Sequence, residues 1–273
     1  MIPVLDVYLT GQCNYKCPYC YGENSSELYM TEVVYNHVVG YAHYIGAAIS
    51  FTGGEPLLHP DIEKFIHIAI NKGIKLHLHT NGILLKTISR VISNFEWVCI
   101  SLDGTERVNH KLRPCSEGYE ISSYEKFYTP LENLIYLKEN HPKVKTLLAT
   151  VATSKNIPSI KDLSEYLFLK KIPFEKWKIY QFTANNFRSL DNRKAFEVNP
   201  HDLKTIEEEI LKLHPNTVFK YGSGDCFLVS VNGDIRVNSD VVSKISAPHD
   251  LVNNKVREFC RVDKITRNKQ VTY

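Results

Sequence analysis

The sequence contains no run approaching the roughly 20 apolar residues that a bilayer span needs, no internal repeat and no low-complexity tract. Those absences set aside a membrane-spanning chain, a solenoid and a flexible linker. Charge of one sign is also short: 33 Lys and Arg stand against 30 Asp and Glu, a net +3. That excess is too mild for a nucleic-acid groove and suits a small anionic molecule. Cysteine is scarce outside one cluster, since of seven only Cys226 and Cys260 lie beyond residue 120. With no secretory leader ahead of them, such thiols point to a reducing, cytoplasmic setting rather than a disulfide scaffold, and to no membrane partner. At 273 residues with 43% hydrophobic content, the chain suffices for one α/β domain. Its expected parts are a barrel core over 1–183 and a helix-and-hairpin extension over 184–273 that packs on it.

What is present begins with Cys13-Asn14-Tyr15-Lys16-Cys17-Pro18-Tyr19-Cys20, three thiols within eight residues just after an apolar run. Three cysteines leave one position of a four-ligand site open, as catalytic metal centres do. A [4Fe-4S] cluster held by only three thiolates would expose one iron. A zinc site completed by a histidine, or buried thiols with no ligand role, are the other readings of this spacing. Next, 47–56 read as a strand running into Gly53-Gly54-Glu55-Pro56. Glycines at a strand end let a backbone approach closely, and the acid beside them suits a cation.

Together the two stretches resemble the radical S-adenosylmethionine (SAM) superfamily, whose signature is a C-x3-C-x2-C loop after the first barrel strand and Gly-Gly-Glu-Pro after the second. The resemblance implies a [4Fe-4S] cluster on Cys13, Cys17 and Cys20, with SAM chelating the open iron. Reduction of that cluster, by an electron donor such as flavodoxin or ferredoxin, would cleave SAM to a 5′-deoxyadenosyl radical that takes a hydrogen atom from the substrate. Further contacts follow from the same likeness: Tyr19 beside the adenine, the Gly53 and Gly54 backbone and Glu55 on the methionine amine. Asn81 and Ser101 are expected on the cofactor, with Asp103 a weaker candidate. Arg113 resembles an arginine that family members carry near the cofactor carboxylate or substrate, although a solvated arginine would look the same.

In order, the chain alternates strands with helical patterns, which predicts a parallel sheet with helical crossovers. Strands are expected at 4–10, 48–52, 74–80, 97–102, 145–152 and 177–182, and helices at 31–45, 60–71, 84–94, 124–139, 159–171 and 200–213. The stretch 103–123 reads as a long connection, and 227–231 with 234–237 as a hairpin about Asn232-Gly233. Six units rather than eight predict an open, partial (β/α)6 TIM-like barrel with a C-terminal β-hairpin extension. Since side chains alternate along a strand, Asp6, Tyr8, Thr10, Ser50, Thr52, Lys75, His77, His79, Cys99, Ser101 and Asp103 fall on one face. Helices must cover the apolar face, so a wet, polar chamber is expected, with Lys75, His77, His79 and Lys178 as its cations.

Substrate signals are fewer. Phe174 to Gln181 resembles the W-K-x-F-Q strand of viperin-like enzymes, which act on nucleoside triphosphates, although Trp177 and Lys178 also read as core and rim. One departure is Leu147, which stands where viperins carry a phosphate-gripping lysine. The first expectation is a nucleotide or other small anionic substrate, with Lys178 gripping it. The second is a ribosomal peptide, with Cys226 as hydrogen donor and Asp225 as acid-base group. The third is a metal-binding scaffold with no enzymatic role.

Overall fold

A computed structural model of the chain describes residues 3–22, 29–184, 187–222, 227–237 and 240–245. Strand β1 (Val4–Thr10) leads into the cysteine loop, and α1 (Glu32–Ile45) returns to β2 (Ala48–Gly53). Helix α1 has clear start and stop signals: Thr31 caps it by accepting from the Val34 N–H, and Gly46 ends it in the left-handed region at φ 67°. A short 3-10 turn and α2 (Ile62–Asn71) precede β3 (Leu76–Thr80). Strand β4 (Phe95–Ser101), α3 (Glu106–Leu112), α4 (Ser123–Asn140), β5 (Lys145–Ala152), α5 (Ile157–Leu169) and β6 (Lys176–Gln181) complete six units. The reciprocal Ser122–Glu125 capping box starts α4. Beyond them lie α6 (Phe187–Asp191), α7 (Arg193–Phe196), α8 (Pro200–Leu213), β7 (Thr217–Lys220), β8 (Phe227–Val229), β9 (Asp234–Val237) and β10 (Asp240–Lys244).

The ten strands form one sheet in the order β10-β9-β8-β1-β2-β3-β4-β5-β6-β7, whose two edges do not meet. All pairs from β1 to β7 are parallel, as is β1 with β8. The fold is therefore the α/β, partial-barrel class expected. The hairpin is present as the antiparallel β8–β9 pair, with Gly233 at φ 85° in its turn. Two strands were not expected: β7 extends the sheet beyond β6, and β10 lies outside β9. Among the described residues, no helix is long and apolar enough to cross a membrane.

Two local expectations fail for identifiable reasons. The stretch 84–94 is not a helix but two 3-10 turns, Leu85–Ile88 and Ile92–Asn94. Their buried Leu85, Ile88 and Ile92 mimic helical spacing, because i and i+3 share a face in either geometry. The supposed long connection at 103–123 contains α3, where buried Asn109 accepts from the Asp103 N–H at 3.0 Å and donates to the Lys126 carbonyl at 2.9 Å. A polar sequence thus folds into a helix because tertiary hydrogen bonds hold it.

Alternation along the strands divides the buried side chains as expected but does not make the interior uniformly polar. Ile49, Phe51, Leu76, Leu78, Val98, Ile100, Leu148 and Ile179 belong to the main core under the helices. On the opposite face, Trp97, Cys99, Leu147 and Ala149 form a separate apolar cluster. The β4–β5 wall of the chamber is thus apolar, contrary to the wet chamber predicted. Lys75 is not a chamber cation either, being half exposed and 3.2 Å from Glu96. Trp177 faces the core, where its Nε1–H donates to the Thr150 hydroxyl at 2.9 Å.

Asn156 locks the ends of β4 and β5 together. Its Nδ2 donates to the carbonyls of Asp103 (2.8 Å) and Val151 (2.9 Å), while Oδ1 accepts from the Thr153 N–H (2.7 Å) and hydroxyl (3.0 Å). Asn156→Ala leaves several of these fully buried groups unsatisfied. The expected cost is about 2–3 kcal/mol, read as a lowered urea midpoint at unchanged slope; a midpoint equal to that of the parent protein contradicts this account.

Candidate active site

The site grows from the carboxyl ends of the first strands, where parallel α/β enzymes place their chemistry. After β1, Gln12 turns the chain by donating its N–H to the Thr10 hydroxyl at 3.0 Å. Cys13, Cys17 and Cys20 follow, each half-buried and free. The Tyr15 N–H points at Cys13 Sγ (3.3 Å), and the Gly22 N–H at Cys20 Sγ (3.2 Å). Burial pushes the Cys17 thiol up to about 12 and Cys13 higher still. Such neutral thiols become thiolates when a metal replaces their protons. Three clustered cysteines with backbone N–H groups aimed at two sulfurs fit the donor set of an iron-sulfur centre. Ligands of one zinc ion must meet about 2.3 Å from it. Among the described residues, no three His, Cys, Asp or Glu side chains are grouped to hold a single ion.

Gly53 and Gly54 have a use visible in the backbone itself. The Gly54 N–H donates to the Thr10 carbonyl (2.8 Å) and the Glu55 N–H to the Gln12 carbonyl (2.7 Å), joining the end of β2 to the cysteine loop. A Cβ on Gly54 would lie 2.0 Å from the Gln12 oxygen, and one on Gly53, at φ 137°, would lie 2.5 Å from the Thr10 oxygen. Only glycine permits this contact.

Glu55 is fully buried. Its carboxylate accepts from the Leu57 N–H (3.2 Å), the Thr80 hydroxyl (2.7 Å) and the Asn81 N–H (2.8 Å). Desolvation outweighs these donors and raises its pKa to about 7. Asn81 in turn donates from Nδ2 to Asn14 Oδ1 at 2.6 Å, tying the end of β3 to the cysteine loop.

A second buried carboxylate, Asp103, sits after β4. Asp103 Oδ2 accepts from the Tyr19 hydroxyl (2.5 Å) and from Arg113 Nε (2.8 Å) and Nη2 (2.5 Å), and Oδ1 accepts from the Val151 N–H (2.7 Å). Arg113 is buried at 7% exposure, so the solvated reading of it does not hold. The Tyr19 ring packs with Phe196 at 5.5 Å between centroids and with Leu112 and Phe182. Ser101 is half-buried at the end of β4, paired in register with Ala149.

Deeper in, Lys178 is buried on the chamber face of β6, and burial lowers its pKa to about 8. His77 is no chamber cation, since burial drives its pKa down to about 4 and leaves it neutral. Asp225 and Cys226 lie outside the described residues. Sequence reasoning missed Asn14 and Asn156, whose roles depend on partners 67 and 53 residues away. It also undervalued Asp103, because Asp-Gly is common in ordinary turns.

The family model described as the radical SAM superfamily matches residues 7–167, more than half of the chain and all of these strand ends. The chain belongs to the radical SAM superfamily. It is 29% identical over 186 residues to the S-adenosylmethionine-dependent nucleotide dehydratase of Selenomonas ruminantium, covering 64% of each chain. Against a probable GTP 3′,8-cyclase of Methanococcus maripaludis it is 32% identical over 161 residues, 56% of this chain and 52% of that one. The chain thus spans about half to two-thirds of the length of these curated relatives. Among solved structures, anSMEcpe with bound AdoMet and Cp18Cys peptide superposes with a TM-score of 0.70 at 19% identity, over 97% of this chain and 84% of that chain, a likeness of fold.

Two outcomes follow for this radical SAM chain. Gly54→Ala forces a Cβ into the Gln12 carbonyl and is expected to cost about 1–3 kcal/mol and to lower iron content after anaerobic reconstitution; full iron loading with unchanged stability counts against the contact. His77 has its pKa lowered from 6.5 to about 4 by burial, with Glu96 and Asp6 opposing the shift and His79 and Lys75 reinforcing it. The unfolded chain therefore takes up this proton first, and stability falls as pH drops from about 6.5 toward 4, by up to roughly 3 kcal/mol. Comparing urea midpoints at both ends of that window, His77→Gln should show a smaller acid loss than the parent protein; equal losses refute the assignment.

Proposed function

We propose that this chain is a radical SAM enzyme that binds a [4Fe-4S] cluster through Cys13, Cys17 and Cys20 and abstracts hydrogen from a small anionic substrate, a nucleotide. The observation that carries the reading is the convergence of four segments. The cysteine loop is hydrogen-bonded to Glu55, to Asn81 and to Asp103, and Glu55 in turn to Thr80 and Asn81, at one rim above a chamber that holds buried Lys178. When bound and reduced by a donor of the flavodoxin or ferredoxin class, cluster and SAM supply the 5′-deoxyadenosyl radical.

This chain's own part is positioning. Glu55, short of positive charge and pushed up to about 7, accepts hydrogen bonds from the methionine ammonium, assisted by the Gly53-Gly54 backbone. Asn81 and Ser101 offer polar contacts to the cofactor. Arg113 acts from a place fixed by Asp103, on which it spends Nε and Nη2. Tyr19 would lie beside the adenine, its ring held by the Asp103 bond and Phe196. Lys178 supplies positive charge for the substrate's anionic end. The nucleotide reading is supported by the similarity to a nucleotide dehydratase and a probable GTP cyclase. A peptide substrate rests on Cys226 and Asp225, and no observation on the described residues favours it. Family membership argues against the non-enzymatic scaffold.

Anaerobically reconstituted protein supplied with SAM and dithionite is expected to form 5′-deoxyadenosine, and one nucleoside triphosphate should raise that rate. Cys17→Ser should abolish it. Absence of 5′-deoxyadenosine from the iron-loaded protein overturns the enzymatic reading; formation that no nucleotide stimulates or accompanies with a modified product overturns the substrate.

A further inference from the structure

The cysteine loop carries a tyrosine whose hydroxyl takes no part in the rim. Tyr15 is 4% exposed, and its hydroxyl finds no hydrogen-bond partner among the described residues. Its backbone is fixed twice, by the N–H aimed at Cys13 Sγ and by an antiparallel bridge to Cys115. Bonds from the Lys16 N–H to the Pro114 carbonyl (2.8 Å) and from the Ser116 N–H to the Asn14 carbonyl (3.1 Å) flank that bridge. Burial raises the pKa of the phenol, and the other groups that act on it are the Arg113 guanidinium and the thiols of Cys17, Cys115 and Cys13. The hydroxyl is therefore a neutral donor held near the sulfurs of the loop. Buried without an acceptor, it carries its full desolvation penalty until one arrives.

Over the ring of this tyrosine lies a cation placed against the local rules. Lys126 is the fourth residue of α4, at the end where the helix dipole disfavours positive charge, and it is 3% exposed. Its Nζ donates to the Arg113 carbonyl at 2.8 Å and lies 5.4 Å from the centre of the Tyr15 ring. Among the described residues it forms no ion pair with a carboxylate. Glu120 and Glu125 line the same groove but are exposed, and Glu125 is engaged in the capping box with Ser122. Arg113, by contrast, has its charge met by Asp103. Lys126 thus brings an uncompensated positive charge, little screened by water, to the cysteine loop. A buried cation answered only by a carbonyl and a ring is costly, and a local rule broken in this way points to function.

We propose that Tyr15 and Lys126 set the reduction potential of the cluster, the Tyr15 hydroxyl donating a hydrogen bond to one of its sulfurs and Lys126 adding positive charge over the ring. The inference rests on the cluster proposed above and deepens it by naming what eases its reduction. When the cluster takes one electron from a donor of the flavodoxin or ferredoxin class, its charge becomes more negative by one. A hydrogen bond to sulfur and a nearby cation both favour that reduced state, so both raise the potential. The two act together, because a cation on the face of the ring draws charge from the phenol and makes its O–H a stronger donor.

The test is a redox titration of anaerobically reconstituted protein without SAM, followed by electron paramagnetic resonance. Tyr15→Phe and Lys126→Met are each expected to lower the reduced-to-oxidised ratio at a fixed potential about tenfold, a midpoint shift of ~59 mV, and Lys126→Arg to restore most of the loss. Iron and sulfide contents of the same samples separate a shifted potential from a lost cluster. A second readout needs no cluster: metal-free Tyr15→Phe should resist urea at least as well as the metal-free parent, since the hydroxyl it removes has no partner to lose. A Tyr15→Phe cluster at the parent's potential, or a metal-free variant that unfolds at lower urea, overturns the hydrogen bond. An unchanged potential in Lys126→Met overturns the part given to the cation. A parent protein that takes up no reducible cluster brings down the reading on which the inference rests as well; one that forms 5′-deoxyadenosine while the variants keep its potential brings down the inference alone.

Discussion

The Asp103 carboxylate is the joint on which the rim depends. It receives Tyr19 from the cysteine loop, Arg113 from the end of α3 and the Val151 N–H from β5, while its own backbone is held by Asn109 and Asn156. Both partners of the ion pair are buried. Such a pair contributes little net stability against an apolar replacement, yet loss of one partner strands the other charge at a cost of about 3–5 kcal/mol. Its value is therefore geometric. Three segments far apart in sequence are held in one arrangement, and alternatives that separate them leave a charge without water or partner.

Glu55, the other rim carboxylate, has the opposite electrostatic situation. Asp103 is neutralised by a guanidinium at hydrogen-bond distance, whereas Glu55 receives only neutral donors from Leu57, Thr80 and Asn81. Arg113 acts on it weakly, as the last of the influences on its pKa, and desolvation dominates. Two acids in different environments take different roles. One is consumed by the protein's own architecture. The other stays short of positive charge, the condition under which an incoming ammonium gains most. On the proposed reading this difference explains why the residue after the glycine pair, rather than the one before Gly104, meets the cofactor's amine.

Much of this was legible in the sequence because its signals are local. The Cys13–Cys20 spacing, the Gly53-Gly54-Glu55-Pro56 run and the period-two strands each depend on near neighbours, and the six parallel units and the Asn232-Gly233 hairpin follow from them. What escaped depends on partners distant in sequence. Residues 84–94 have helical spacing but fold as 3-10 turns, and α3 forms in a polar stretch because Asn109 bonds to Asp103 and Lys126. Alternation correctly separates the two faces of each strand. It does not say what the inner face is made of, since Trp97, Cys99 and Leu147 come from two strands whose apolar cluster exists only once they pair. Likewise Lys75 shares the parity of His77, yet lies beside Glu96 at the amino-terminal rim.

The chamber changes character around the sheet. Asp6, Ser50 and His77 lie side by side across β1, β2 and β3 in register, Trp97, Cys99, Leu147 and Ala149 give β4 and β5 an apolar surface, and lysines line β6 and β7. A uniformly polar lumen would favour any hydrated solute. A sequence of polar, apolar and cationic walls instead favours a molecule whose own parts differ in the same order, and penalises its reversal, because the charged end would then lose water against Trp97 and Leu147 without gaining a partner. For a nucleotide on the proposed reading, that asymmetry fixes which end is anchored. On that reading the anionic end would be drawn to Lys178 on β6, leaving the rest of the molecule to span the chamber beneath the cysteine loop, where a radical formed at the rim would meet its carbon–hydrogen bonds.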